Sequence, residues 1–286
     1  PVVAGVGARS IHGAIEQAEW IPTILGNATA GKAVYLGNDA MHIQAAGNDI
    51  WNTADAGYFV YQEYTGAFEI TAKMEIMDNA ANDWSKLGLM VRDDLAAGSR
   101  EVMTVVTSED GNNLMSMQWR AATDGASAST PNGAVLDETG AQVQRLTPAI
   151  WPAYHKLVRR DSASNEFEVW YSADGVAYTL FGKYIVPDPV LPETLYVGVA
   201  NTSHVDDAVA DAFTLVSGLS ISEPTAVEAG TFTGISAAGG SVVVTWEGSG
   251  MLNSAPAVDG PYTDTGASGG THTVDTPADV EIFQLQ

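Results

Sequence analysis

Between Trp84 and Asp94 the chain alternates. Leu87, Leu89 and Val91 fall on one side of an extended backbone, and Lys86, Gly88, Met90 and Arg92 fall on the other. Side chains in a strand point alternately to opposite faces, so one face reads as core and the other as a mixed, partly polar surface. The same period of two runs through Phe68-Glu69-Ile70-Thr71-Ala72-Lys73-Met74-Glu75. Turn signals separate such runs: Gly37-Asn38-Asp39, Glu109-Asp110-Gly111-Asn112-Asn113 and Ala173-Asp174-Gly175. Short strands joined by turns of this chemistry read as hairpins. A chain with many of them and almost no helical period must pack two sheets face to face or close a barrel, because each sheet has one apolar face to bury. An all-β chain is therefore expected.

The boundaries follow from the pattern. Strands are expected at 33–35, 41–45, 58–62, 68–75, 88–92, 101–107, 114–120, 154–160, 166–171, 177–181, 195–201 and 211–221, which makes 21–222 one sandwich domain. The nearly all-apolar run 195–201 suits a central strand. Residues 121–140, rich in Ala, Ser and Gly, read as a long surface loop. Residues 1–20 form either a short helix capped by Ser10 or an extended Gly/Val-rich arm that pairs with a sheet edge, in its own molecule or a neighbour. Residues 223–229 read as a linker, and 230–286 as a small β module whose strongest strand is Ser241-Val242-Val243-Val244-Thr245-Trp246. A module of this size is near the lower limit for independent stability.

Charge narrows the partners. There are 35 acidic against 12 basic residues, a formal net charge of −23. Phosphate backbones and anionic lipid surfaces need clustered Lys and Arg, so nucleic acid and anionic membranes are excluded as partners. No apolar run is long enough to span a bilayer, so no membrane insertion is expected. The chain has no cysteine. That removes thiol catalysis, zinc–thiolate sites and iron–sulfur clusters. The start, Pro1-Val2-Val3, suggests a processed chain, and the composition suggests an extracellular or cell-surface protein whose self-repulsion is screened by salt.

Several ordered segments carry a family resemblance. They are Asn48-Asp49-Ile50-Trp51-Asn52-Thr53-Ala54-Asp55, Phe59-Val60-Tyr61-Gln62, Trp84 to Arg92, Val169-Trp170-Tyr171-Ser172-Ala173-Asp174-Gly175 and Tyr196-Val197-Gly198-Val199-Ala200. Together, over about residues 22–221, the chain resembles concanavalin A-like (laminin-G-like) jelly-roll modules of bacterial secreted and surface proteins. The resemblance implies a two-sheet jelly-roll sandwich with one concave face, followed here by the small C-terminal β module. Catalytic members carry a Glu-x-Asp-x-x-Glu strand across that face. This chain has no such run.

Three sets of residues are candidates for function. The first is Trp84, Lys86 and Arg92 with Met90, joined by Trp119 and Arg120 at the end of a strand before the long loop. Rings that stack on sugars, with charged donors beside them, suit a glycan; ion pairing on an ordinary sheet surface is the alternative. The second is the wider aromatic set Trp51, Tyr58, Tyr61, Tyr64 and Trp170, read either as a platform or as packing. The third is acidic: Asp206, Asp207 and Asp211 crowd one loop and are the expected ligands of a structural Ca2+, with solvated turns as the alternative. His12, His42, His155, His204 and His272 show no ligand spacing. The functional expectation is a non-catalytic adhesion or recognition protein that binds polysaccharide or a cell-surface glycan. Two alternatives stand beside it: a structural subunit that binds copies of itself in a filament, sheath or surface layer, and a glycoside hydrolase.

Overall fold

The computed structural model describes residues 20–37, 39–78, 81–206 and 213–225, and towards the C-terminus 231–238, 241–247, 251–255, 263–268, 270–274 and 282–285. The chain divides into two compact units, Pro1–Pro224 and Thr225–Gln286. The helix-or-arm expectation for residues 1–19 lies outside the described residues.

The first unit opens with β1 (Ile21–Leu25), β2 (Gly31–Gly37), β3 (Ala40–Ala45), β4 (Gly57–Thr65), β5 (Phe68–Asp78) and β6 (Lys86–Arg92). It continues with β7 (Glu101–Thr107), β8 (Met115–Arg120), β9 (Ser127–Ser129), β10 (Val135–Leu136) and β11 (Ala153–Arg159). It ends with β12 (Glu166–Ser172), β13 (Thr179–Ile185), β14 (Thr194–Thr202) and β15 (Phe213–Ser222). One sheet of seven strands has the order β1-β4-β14-β6-β7-β8-β9, and one of eight has the order β10-β13-β12-β11-β5-β15-β3-β2. Neighbouring strands run antiparallel. This is the two-sheet sandwich expected from the alternation. β14, the apolar run, lies between β4 and β6 as a central strand.

The core is the space between the sheets. Leu87, Leu89 and Val91 of β6 meet Ile70 of β5, Leu157 of β11 and Phe167 and Val169 of β12 in one buried cluster. Each such side chain contributes about 1.5–3 kcal/mol when fully buried. A polar link crosses the apolar layer between β7 and β11. The hydroxyl of Thr104 on β7 accepts a hydrogen bond from the Leu89 amide at 2.9 Å and bonds His155 Nδ1 of the facing sheet, also at 2.9 Å.

Two expectations need correction. Residues 21–25, not expected as a strand, form β1; Pro22 is tolerated because β1 is the end strand of its sheet. The segment 121–140 is not wholly loop, since β9 and β10 lie within it. Both are very short edge strands, which limits unwanted pairing.

The second unit holds β16 (Thr231–Ala238), β17 (Ser241–Glu247), β18 (Met251–Ala255), β19 (Thr263–Ser268), β20 (Thr271–Val274) and β21 (Ile282–Leu285). They form two three-stranded sheets, β16-β17-β20 and β19-β18-β21. Its core cluster is Val244, Trp246 and Leu252, with Val242 and Phe283 packed beside them.

Candidate functional site

Alternation places Lys86, Met90 and Arg92 of β6, Glu101 and Met103 of β7, and Gln118 and Arg120 of β8 on the outer face of the seven-stranded sheet. That face is not open. Ile50, fully buried, packs with Leu25, Phe59, Tyr61, Met90, Met103, Val105 and Ala200 as a second apolar layer. Ile50 belongs to a strap, residues 47–56, that crosses the sheet.

Basic side chains fasten the strap from below. Lys86 Nζ donates to Ile50 O at 3.0 Å and Gln118 Oε1 at 3.1 Å, and pairs with Asp49 Oδ1 at 2.7 Å. Arg92 Nη1 donates to Asp55 Oδ2 at 2.8 Å. Arg120 Nη1 reaches the same oxygen at 2.9 Å, and its Nη2 bonds Asp55 Oδ1. The remaining arginine donors go to backbone carbonyls: Asp94 and Ala96 from Arg92, and Trp51, Asn52, Ala97 and Ser99 from Arg120. Burial lowers the Lys86 ammonium pKa, against the opposing pull of Asp49. For Arg120 burial also acts downward, but Asp55 outweighs it and the net shift is upward. Between Arg92 and Arg120, in register with both, stands Glu101. Burial, then the Asp55 charge, pushes its carboxyl up to about 7 against Arg120 and Arg92, and its Oε2 has no hydrogen-bond partner.

The five side chains expected to hold a ligand therefore separate. Lys86, Arg92 and Arg120 are together, but at 5%, 1% and 0% exposure they are occupied by the protein itself. Trp119 is corrected outright: it sits on the inner face of β8, 4% exposed, in the inter-sheet core, with its ring centroid 4.5 Å from that of Tyr184. Only Trp84 of the five keeps open surface, at 39%, with the Arg145 guanidinium 5.7 Å from its ring centroid. Of the acidic set, Asp206 is exposed, while Asp207 and Asp211 lie outside the described residues. Among the described residues no three His, Asp or Glu side chains form a cation-binding group. Tyr58 and Tyr61 are buried, and Tyr64 packs edge-on against Phe68.

The outer face of the eight-stranded sheet differs. It carries no strap among the described residues, and half-buried rings stand on it. Trp170 of β12 donates from Nε1 to Glu168 Oε2 at 2.9 Å. Lys73 Nζ lies 5.4 Å from the ring centroid of Tyr154 on β11. Lys156 Nζ lies 4.5 Å from the ring centroid of Tyr178, which immediately precedes β13. Gly175, at φ 75°, sits against Tyr154: a Cβ there would come within 2.6 Å of the ring. Charges alternate among the rings. Lys73 pairs with Glu75 at 2.7 Å, Lys156 with Glu69 at 3.2 Å, Arg160 with Glu168 at 2.7 Å, and Lys183 with Glu168 at 3.3 Å. Burial by itself would raise the Glu168 carboxyl, but Arg160, Lys183 and the Trp170 donor together hold it below the usual range. Such a face offers planar rings for stacking, with donors and acceptors beside them for hydroxyl groups. Trp170 was legible in the sequence as an exposed aromatic. Tyr154 and Tyr178 join it only through strand register, which sequence spacing does not reveal.

No family model and no curated relative matches the chain. Among solved structures it is similar to a functionally unknown protein from Saccharomyces cerevisiae, at 15% identity over 72% of this chain and 97% of that one, with a TM-score of 0.49. It is also similar to Lectin I from Ulex europaeus in complex with the methyl glycoside of alpha-L-fucose, at 9% identity, 69% and 95% coverage and a TM-score of 0.37. A GH43 protein from Bacillus licheniformis matches at 10% identity over 62% of this chain and 31% of that one, with a TM-score of 0.37. Likeness of this degree assigns no ligand and no activity.

Proposed function

We propose that the chain is a non-catalytic, extracellular or cell-surface glycan-binding protein, and that its ligand surface is the outer face of the eight-stranded sheet. The observation that carries this reading is the set of half-buried rings Tyr154, Trp170 and Tyr178, each held in place by a charged neighbour. Fixed rings lose little freedom when a sugar stacks on them. The non-catalytic part rests on the carboxylates. Glu69, Glu75, Glu166 and Glu168 on this face all lie within ion-pair distance of a lysine or arginine. The carboxyl raised to about 7, Glu101, is 2% exposed on the other sheet. A glycan array tests the proposal. Trp170→Ala and Tyr154→Ala should each abolish most binding, whereas Trp84→Ala should leave it intact. Binding that survives both of the first two substitutions moves the site elsewhere.

A second reading, a subunit that assembles with copies of itself, has one observation in its favour. β1 and β2 are end strands of their two sheets, follow each other in the chain, and expose Ile21, Ile24 and Leu36 at 47%, 45% and 57%. Pro22 and the exposed Lys32 on those edges oppose it, since proline and lysine are what blunt an edge strand. Sedimentation velocity over a wide concentration range decides: polymers that grow with concentration favour assembly, and a constant monomer removes it.

A further inference from the structure

We infer that the ligand of the eight-stranded face is an uncharged polysaccharide, an inference that rests on the glycan-binding reading above and narrows its chemistry. Around its rings, along β5, β11, β12 and β13, the face has four basic side chains, Lys73, Lys156, Arg160 and Lys183; Lys32 lies apart, on the end strand β2. Each of the four has a carboxylate partner on the same face, at 2.7, 3.2, 2.7 and 3.3 Å respectively. Four carboxylates, Glu69, Glu75, Glu166 and Glu168, complete the set, so the patch is electrically balanced. A polyanion would have to displace these pairs to reach a cation, exchanging one carboxylate for another with no net gain.

The rest of the molecule adds to this. The formal net charge is −23. Five of its 12 basic residues, Lys86, Arg92, Arg100, Arg120 and Arg159, are buried. Three acidic residues, Asp55, Glu101 and Glu168, are buried as well, so the exposed surface keeps the acidic excess of the composition, and like charge slows and weakens encounter. An uncharged chain meets neither obstacle. It stacks on rings, and its hydroxyls find donors and acceptors in the lysines and glutamates, and in the hydroxyls of Thr71 and Ser220, which are 3.0 Å apart. Tyr154 and Trp170 stand on adjacent strands, β11 and β12, two residues out of register, since Tyr154 is opposite Ser172 and Trp170 opposite Lys156. Such diagonal neighbours lie about 7–8 Å apart, so the two rings address different positions along a polymer in preference to one isolated sugar.

Isothermal titration calorimetry on the full chain tests this. The titrants are uncharged xyloglucan, galactomannan and mixed-linkage glucan, against anionic alginate and polygalacturonate, at low and high NaCl. The expected result is binding to at least one uncharged polymer, with a dissociation constant that salt changes by less than about twofold. Trp170→Ala should weaken it about tenfold or more, equivalent to about 1.4 kcal/mol. Trp84→Ala, outside this face, should leave both the affinity and its salt independence intact. Binding confined to the anionic polymers and falling steeply with salt overturns the inference, while the glycan-binding reading stands. Binding to none of the polymers overturns both.

Discussion

His155 and Glu101 are both buried, and they move stability with pH in opposite directions. Burial lowers the His155 pKa from 6.5 to about 4. Between those values the unfolded chain holds the proton and the folded chain does not, so stability is full above the upper value and falls on acidification. At about 1.4 kcal/mol per unit, the loss approaches about 3 kcal/mol. Glu101 has the reverse sign. Its pKa is raised from 4.5 to about 7, so the folded chain holds the proton, and stability is lost as pH rises through that window. Glu101→Gln keeps the shape and removes the ionisation. Its stability relative to the parent should grow by about 1–3 kcal/mol between pH ~5 and ~8, read from urea unfolding at the two pH values. A constant difference would show that Glu101 is ionised throughout. His155→Leu should flatten the acid limb of a plot of Tm against pH; a limb of unchanged slope would assign it to other groups.

At the scale of elements, the strap 47–56 is a loop made rigid by two arginines and one aspartate. Asp55 is 1% exposed and accepts from both Arg92 and Arg120. Asp55→Ala leaves two guanidinium groups buried without their anion and should cost about 3–5 kcal/mol. Asp49→Asn, at a side chain 19% exposed, leaves Lys86 its bonds to Ile50 O and Gln118 Oε1 and should cost less, about 1.5–3 kcal/mol. Urea midpoints distinguish the two, and limited proteolysis should cut the Asp55→Ala protein first within 47–56. Equal costs would mean that the Arg92–Asp55–Arg120 cluster is not what holds the strap. The glycine at 88 belongs to the same scale. A Cβ there would fall on the Thr104 carbonyl oxygen, so β6 and β7 approach each other only because position 88 has no side chain.

For the molecule as a whole, the dominant long-range term is self-repulsion from a net charge of −23. Added salt screens it, with a Debye length of about 10 Å at ~0.1 M shrinking to about 3 Å at ~1 M. Tm should therefore rise with NaCl by several degrees, each kcal/mol being worth about 2–4 °C for a domain of this size. The buried Asp55 pairs are largely unscreened, so Asp55→Ala should lower Tm by a similar amount in low and high salt. Scanning calorimetry across the salt range checks both. A Tm that falls with salt would place exposed ion pairs, such as those on the eight-stranded face, above net repulsion as the controlling term.

The period of two was enough to say which side chains of β6 face inward, because alternation is a local property of extended backbone. The same period places Trp119 inward, since Met115, Met117 and Trp119 alternate with Ser116, Gln118 and Arg120, while Arg120 beside it faces the strap. β1 carries no clear strand signal in the sequence, since its five residues include a proline, which an end strand tolerates. What covers an outward face is not local. Asp55 lies 37 residues before Arg92 and 65 before Arg120, and no spacing rule links them. The sequence by itself thus determined the longer strands and their inward faces, but not the short or proline-bearing edge strands β1, β9 and β10. The tertiary structure decided that one outer face is closed by a strap and the other left open, because that outcome depends on which loop crosses which sheet and on arginines that find their carboxylate only after the chain has folded.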